Sequence, residues 1–511
     1  MTLRRYERYK DSGVEWLGAV PAHWEVQAIK RLLLSVEQGW SPQCENFPAE
    51  SGQWGVLKVG CVNGGRFNAD ENKALPVDLE PLPELGIRRG DVLVSRANTR
   101  ELVGSVAVAD RDYEHLLLCD KLYRLRVRPD RCEPSFLAHF IGGTAARSVI
   151  EAAATGASSS MLNIAQGAIV GMPMAVPPPG EQRALLRFLG AETAKIDALI
   201  AEQQRLIELL NEKRQAAIAQ VVTKGLNPST PMKDSGVEWL GEVPSRWRVV
   251  PVKYLADVGN GSTPHRDRAD YWTGGDYPWL SSTVVNGEVV LEADEFVTEL
   301  ALTECHLPKV TPPAVLIGIT GQGKTRGMSA LLGIEATINQ HIAFVRPRDN
   351  STSAEFLRRY FETAYQRMRF ESDGVGSTKG AITCEQISNM RVPVPPREQQ
   401  DAIVVRLRHI TSELDRLALE ATTAIELLRE RRTALISAAV TGQIDVRDSE
   451  SVESALAETR ADIAAGRYVV ESAAAHLARV QAMTAADEHP PSLPVRAKLN
   501  HIDHNGHGSL P

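Results

Sequence analysis

Lys10-Asp-Ser-Gly-Val-Glu-Trp-Leu-Gly-Ala-Val-Pro-Ala-His-Trp24 is written a second time as Lys233-Asp-Ser-Gly-Val-Glu-Trp-Leu-Gly-Glu-Val-Pro-Ser-Arg-Trp247, shifted by 233 − 10 = 223 residues. Chance does not produce a run of that length, so the chain is an internal duplication before it is anything else. The same offset carries Leu57 and Val62-Asn63-Gly64 onto Leu280 and Val285-Asn286-Gly287, and Val92-Leu93-Val94 onto Val315-Leu316-Ile317. Phe136-Leu137 answers Phe356-Leu357 at 356 − 136 = 220, and Val176-Pro177-Pro178 with Glu181-Gln182 answers Val394-Pro395-Pro396 with Glu398-Gln399. Each copy therefore reads as a variable body followed by a Pro-rich hinge.

Behind each hinge the apolar residues take a helical period, over 181–222 and 398–440. At an offset of 218, Leu189, Ile196, Gln203, Leu210 and Ala217 fall on Leu407, Leu414, Ala421, Leu428 and Leu435, seven residues apart. Leu199 and Leu206 belong to a second stripe, with Ile410, Leu417 and Ala424, which completes an a/d seam. Gly225 and Gly442 supply the stops. Such helices are on the order of 60 Å long. They read as an antiparallel coiled-coil spacer between two bodies, although a buried bundle helix is the plainer alternative. The bodies mix short apolar runs (56–59, 91–94, 122–127, 315–319, 342–345) with Gly, Asn and Ser loops and helical pieces near 136–154 and 354–370. The class is α+β, with two such domains in tandem and a pseudo-two-fold internal repeat.

Bulk properties narrow the function without deciding it. At 511 residues the chain needs about two to four domains. A 43% hydrophobic and 24% charged composition is that of an ordinary globular protein. No window is apolar enough to span a membrane and the start carries no signal peptide, which predicts a cytoplasmic protein. Six cysteines (Cys44, Cys61, Cys119, Cys132, Cys305, Cys384) without a CxxC pair predict reduced thiols and no zinc site. A net charge of −7 excludes a uniformly basic nucleic-acid binder but not local basic loops.

Gly318-Ile-Thr-Gly-Gln-Gly-Lys324-Thr325 satisfies the phosphate-loop pattern after an apolar run. Against an NTPase stand the Gly-interrupted sequence that follows, the lack of a downstream magnesium-binding Asp, and the matched stretch Ser95–Gly104, which keeps its place (327 − 104 = 223) but not the pattern. The alternative is a polar loop after a core strand, carrying Arg96, Asn98 and Arg100 in one copy and Gln322, Lys324, Thr325 and Arg326 in the other. Those types suit guanine and adenine edges or phosphate. Gly39-Trp40-Ser41-Pro42 recurs as Gly261-Ser262-Thr263-Pro264 before His265, and Gly156-Ala-Ser158-Ser159 as Gly376-Ser377-Thr378-Lys379. With Lys58 these complete the candidate DNA contacts, and ordinary turn chemistry explains the small loops as well. No methyltransferase, nuclease or hydrolase constellation is present, so no catalytic residue is assigned. His501, His504 and His507 in the tail read as solvated rather than as metal ligands.

The two-copy layout, the Trp-Leu-Gly-x-Val-Pro-x-x-Trp openings, Gly90-Asp91-Val92-Leu93 with Arg96 and Asn98, and the Pro-rich Glu-Gln hinges resemble the specificity subunit of type I restriction-modification systems over residues 10–445. The resemblance implies two recognition domains, 1–175 and 227–393, each reading half of an interrupted, asymmetric double-stranded DNA site in the major groove. Spacer helices at 176–226 and 394–446 would fix the gap. It further implies two modification (methyltransferase) subunits that use S-adenosylmethionine and two restriction subunits that use ATP and Mg2+ as nuclease and translocase, with no cofactor on this chain. Leu189, Ile196, Leu199, Leu206, Leu210, Leu407, Leu414, Leu417 and Leu428 are the candidate partner-binding positions. The hinge Pro177-Pro178-Pro179-Gly180 and the residues past Asp445 depart from the pattern. Residues 447–487 are expected to be a helical extension and 488–511 a disordered tail. A phosphate-loop NTPase built on Lys324 and a structural coiled-coil adaptor are the competing readings.

Overall fold

A computed structural model describes residues 4–158, 161–321, 323–373 and 380–447. Ser159, Gln322, Ser377, Thr378, Lys379, the expected extension beyond Arg447 and the tail lie outside the described residues. The fold mixes helix and sheet, and two helices dominate it, Pro179–Lys224 and Arg397–Val440. The chain divides into two compact units, 1–204 with 423–511 and 205–422, so the division runs through both helices. Each unit therefore holds one body and a half of each helix.

In the first unit, an antiparallel sheet runs in the order Val106–Val108, Val92–Ser95, Leu122–Val127, Leu33–Gln38. In the second, Ser329–Leu332, Ala314–Gly318, Ile342–Pro347 and Ala256–Asn260 repeat that order, and Val289–Val290 adds a parallel fifth strand. The strands are short and apolar on both faces because each sheet has a helix-packed side and a second small sheet on the other. Phe136, Leu137, Phe140 and Ile141 cover the first sheet, and Phe356, Leu357, Tyr360 and Phe361 cover the second. Equivalent cross-strand pairs need not keep their chemistry. Arg124 faces Glu37 in one unit, and Phe344 lies over Gly259 in the other. Arg124 is fully buried and holds Glu37, the carbonyls of Gly86 (2.7 Å) and Glu84 (3.0 Å), and Asp91 at 3.7 Å. Removing one partner of such a buried pair costs about 3–5 kcal/mol.

The repeated openings are structural anchors. Trp24 and Trp247 are both buried, and each indole N–H donates to the hinge side chain of its own unit, Glu181 Oε1 and Gln399 Oε1, at 3.0 Å in both cases. The neighbouring glutamines repeat the pattern. Gln182 donates to the carbonyls of Arg131 and Pro177 and accepts from the Glu133 N–H. Gln400 does the same with Ser351, Pro395 and Ser353. The structural match is thus Glu181-Gln182 with Gln399-Gln400, one residue along from the match to Glu398-Gln399 expected from the sequence. The reason is physical: the buried amide ties one hinge carbonyl, Pro177 or Pro395, to one carbonyl of the body, Arg131 or Ser351, and it is the glutamine at the second place that does so.

The long helices pack in the same way in the two units. In the first, Leu185 and Leu189 share a core with Ala439 and Val440, and Asp197 pairs with Arg432 at 2.9 Å. In the second, Ile218 and Val222 share a core with Ile403 and Leu407, and Arg214 meets Asp415 at 3.3 Å. Positions 197 and 214 map onto 415 and 432 by the same 218-residue offset, so the two ion pairs are one contact used twice.

Candidate nucleic-acid interface

Both expected base-reading loops are hairpin connections of identical register. Gly104 N donates to Ser95 O and Ser95 N to Ser105 O, each at 2.8 Å. Gly327 N donates to Gly318 O (2.7 Å) and Gly318 N to Met328 O (2.9 Å). Gly104 and Gly327 close the loops at positive φ, 77° and 88°, a conformation that favours glycine. Because Gly318-x-x-x-x-Gly-Lys-Thr runs into the strand Ser329–Leu332 and not into a helix N-terminus, no phosphate cradle forms. The NTPase alternative falls on that geometry.

Around each hairpin the fold gathers the polar loops that the sequence left scattered. In the first unit Arg96 Nη1 donates to Asp120 O (3.2 Å), Gln38 Nε2 donates to the same carbonyl (3.1 Å), and Ser41 bonds the Asp120 carboxylate while accepting from the Asp120 N–H (3.1 Å). Asn98 reaches Asn63 at 3.4 Å, Lys58 pairs with Glu71 at 3.4 Å, and Arg100 is exposed. The backbone of the Thr155–Ser158 strand pairs with Met161–Asn163, which pairs with Ala97–Asn98. In the second unit Thr263 donates to Gln340 (2.5 Å), Thr320 shares a hydrogen bond with His341 Nδ1 (2.7 Å), and Thr325 reaches Asn286 (3.3 Å). Lys324 and His265 are exposed, and the Ser262 carbonyl takes the Trp279 indole N–H (3.1 Å). Arg266 stacks on Trp272 and Trp279, its guanidinium 4.0 and 4.9 Å from the ring centres, which braces that loop.

Several expected contacts are reassigned. Arg326 is buried and ion-paired with Asp373 at 2.7 Å, so it holds the loop and does not face a ligand. The glycines of the first recurring loop serve packing: a Cβ on Gly39 would lie 1.9 Å from the Leu118 carbonyl oxygen, and one on Gly261 1.7 Å from that of Ile338. Among the expected partner-binding leucines, Leu189, Ile196, Leu206, Leu210, Leu407, Leu414 and Leu417 are buried within the chain, and Leu199 and Leu428 are half-buried. The large apolar side chains that the second long helix exposes are Val405, Leu419 and Leu427. Sequence reasoning missed Asp120-Lys121 and Gln340-His341. Both pairs sit in the turn before a central strand at matched places, a signal that pattern alone could have raised.

Three of the thiols are buried. Burial pushes Cys119 up to about 11 and Cys132 up to about 12, and Cys61 higher still, so none is a ready thiolate. Among the described residues no helix is long and apolar enough to cross a membrane.

Residues 244–427 match the family described as "Type I restriction modification DNA specificity domain". The chain is similar to the putative type I restriction enzyme MjaX specificity subunit of Methanocaldococcus jannaschii, 22% identical over 436 residues, which are 84% of this chain and 96% of that one. The type I restriction enzyme EcoEI specificity subunit of Escherichia coli is 29% identical over 164 residues, 32% of this chain and 28% of that protein. A chain from a structure of the assembly and conformational transition of the type I R-M system superposes with a TM-score of 0.61 at 19% identity, covering 82% of this chain and 98% of that one. The chain is similar to type I specificity subunits in sequence, and the last likeness is one of fold.

Proposed function

We propose that this protein is the DNA-specificity subunit of a type I restriction-modification system, reading a bipartite, asymmetric site with one half-site for each body and performing no catalysis itself. The observation that carries the reading is one scaffold built twice with unlike loops. The hairpins at 95–104 and 318–327 share strand order, register and closing glycine, yet one offers Arg96, Asn98 and Arg100 and the other Lys324 and Thr325. A protein that reads two different short sequences needs that combination, because backbone geometry sets the approach to the groove while side chains choose the base.

The two long helices act as an antiparallel coiled-coil spacer that sets the distance between half-sites. The Asp197–Arg432 and Arg214–Asp415 pairs and the buried a/d leucines support that pairing. With the seam consumed internally, the surface left for two modification subunits is the outer side of the helices, where Val405 and Leu419 are exposed. The modification subunits would use S-adenosylmethionine, and two restriction subunits ATP and Mg2+, with none of these bound by this chain.

Genome-wide detection of methylated adenine, with this gene intact and deleted, tests the reading. A split motif that vanishes on deletion supports it and gives the site. An unchanged methylome, with the modification subunit shown to be expressed, contradicts it and favours the structural adaptor.

A further inference from the structure

The loop carbonyls of the two hairpins are held in the same way by residues that the repeat does not align. In the first unit Arg147, on the helix Thr144–Ala153, donates Nη1 to the Val103 carbonyl and Nη2 to the Arg100 carbonyl. In the second, Arg369, on the helix Ala354–Asp373, donates Nη1 to the Gly323 carbonyl at 2.6 Å and to the Arg326 carbonyl at 3.2 Å. Under the 223-residue offset Arg100 becomes Gly323 and Val103 becomes Arg326, so both guanidinium groups grip the same two loop positions. Sequence alone pairs Arg147 with Arg367, at the 220-residue offset of Phe136 and Phe356. Arg367 instead spends its charge on Glu371 (2.6 Å). The first body breaks its helix between Ile141 and Thr144, at Gly142-Gly143, and the second runs through, which rephases the side chain that reaches the loop.

We propose that Arg147 and Arg369 are positioning residues for half-site recognition, each fixing the curvature of the hairpin whose side chains meet the bases. The inference rests on the specificity reading above and deepens it. Arg147 spans its two carbonyls with the two arms of a planar fork, which a single ammonium cannot do, whereas Arg369 reaches both of its carbonyls from Nη1. Both clamps are braced from behind. Arg147 Nε pairs with Glu151 at 2.8 Å, and the Tyr365 hydroxyl that contacts Arg369 (3.3 Å) also donates to the Lys324 carbonyl at 2.9 Å. Three loop carbonyls of the second hairpin, those of 323, 324 and 326, are thereby tied to one helix. A loop so tied presents one shape, and an untied one samples several and admits more than one base sequence.

The test uses the full chain with its modification subunit in cells, comparing wild type, R147Q, R147K and R369Q by adenine-methylation sequencing. The readout is a ratio: methylation of cognate sites over sites with one mismatch, taken separately for each half of the motif. It is independent of how much folded protein is present. R147Q is expected to lower discrimination about tenfold in one half and leave the other unchanged, the scale of one good base contact. R369Q should do so in the opposite half, and R147K should fall between R147Q and wild type. Ratios unchanged in both halves, or lowered equally in both, overturn the proposal, whatever happens to total methylation. The wild-type arm keeps the two readings apart, since a failure to see any split motif there refutes the specificity role itself.

Discussion

At the scale of single residues, the same letters in the sequence serve different masters. Gly39 and Gly261 sit in loops that invited a phosphate, but their neighbours are the carbonyls of Leu118 and Ile338, distant in sequence, which leave no room for a Cβ. Gly261→Ala is therefore expected to lower the melting temperature of the full chain by several degrees, following an overpacking cost of about 1–3 kcal/mol. Gly323→Ala, where nothing lies within 4 Å, should leave it unchanged. Differential scanning calorimetry of both variants decides between crowding and a general intolerance of the loops. Lys324 presents the opposite case, an exposed side chain on a loop whose backbone carbonyl is fixed by Tyr365. Lys324→Ala should weaken DNA binding by the assembled complex by about 1–3 kcal/mol at the cognate site and less at sites mismatched in that half. ATP turnover per bound complex should not change, and a loss there would revive the phosphate-loop reading. That the loop is polar and recurrent was legible in the sequence. That Arg326 is buried and pairs with Asp373 was not, because an ion pair to a residue 47 positions away leaves no local trace.

Among the elements, the two long helices were the most readable, since a seven-residue period over some forty residues overrides local ambiguity. What the period cannot say is which partner covers the seam, and most of the residues expected to meet another subunit are instead buried, Leu189 in the first unit's core and Leu407 in the second's. Charge fixes the register that the leucines leave open. Asp197 with Arg432, and Arg214 with Asp415, stand at positions related by the repeat and oppose each other across the pair. Asp197 and Arg432 are each about a third exposed, so a double-mutant cycle on D197A and R432A should return a coupling of roughly 0.5–1 kcal/mol. A coupling indistinguishable from zero would mean that apolar packing alone sets the register. Below this contact the two bodies diverge. The second fills the space with Arg358, Arg359, Glu288 and Glu362 around Arg214. The first has Ala138, His139, Gly65 and Gly142 at the matched places and keeps a cavity of about 660 Å³ lined by these residues and by Arg147 and Arg432. There burial, with Arg432 adding to it, holds His139 below the usual histidine range, so the ring stays neutral at pH 7.

For the whole molecule, the duplication has a consequence that neither copy shows by itself: in each unit the end of a long helix is seated on the opening of a body. Gly225, after the first helix, lies against Trp247, with a Cβ there 3.1 Å from the ring. Gly442, after the second, lies against Pro21 and Trp24, the opening written at the other end of the chain. The first seat is joined to its body by a few residues of chain. The second is held only by contacts, and it carries more of them. Tyr9 donates to the Gly442 carbonyl (3.1 Å), Asp445 N to the Arg4 carbonyl (2.9 Å), and Arg447 covers the Tyr6 ring at 5.0 Å. Ile444 and Val446 are buried in the first unit's core. The sequence marked Gly442 as a helix stop and assigned the residues after it to no body, because contacts between residues more than 400 apart have no periodicity to betray them. A chain ending at Val440 should therefore be less stable than one ending at Arg447 by about 2–5 kcal/mol, the scale of losing two buried aliphatic side chains and their hydrogen bonds. The loss should be local to one unit. Hydrogen exchange is expected to accelerate in peptides around Val20 and Trp24 and to hold its rate around Val243 and Trp247. Equal acceleration at both openings would show that the seat stabilises the chain as a whole rather than replacing, for the first body, the peptide link that the second body already has.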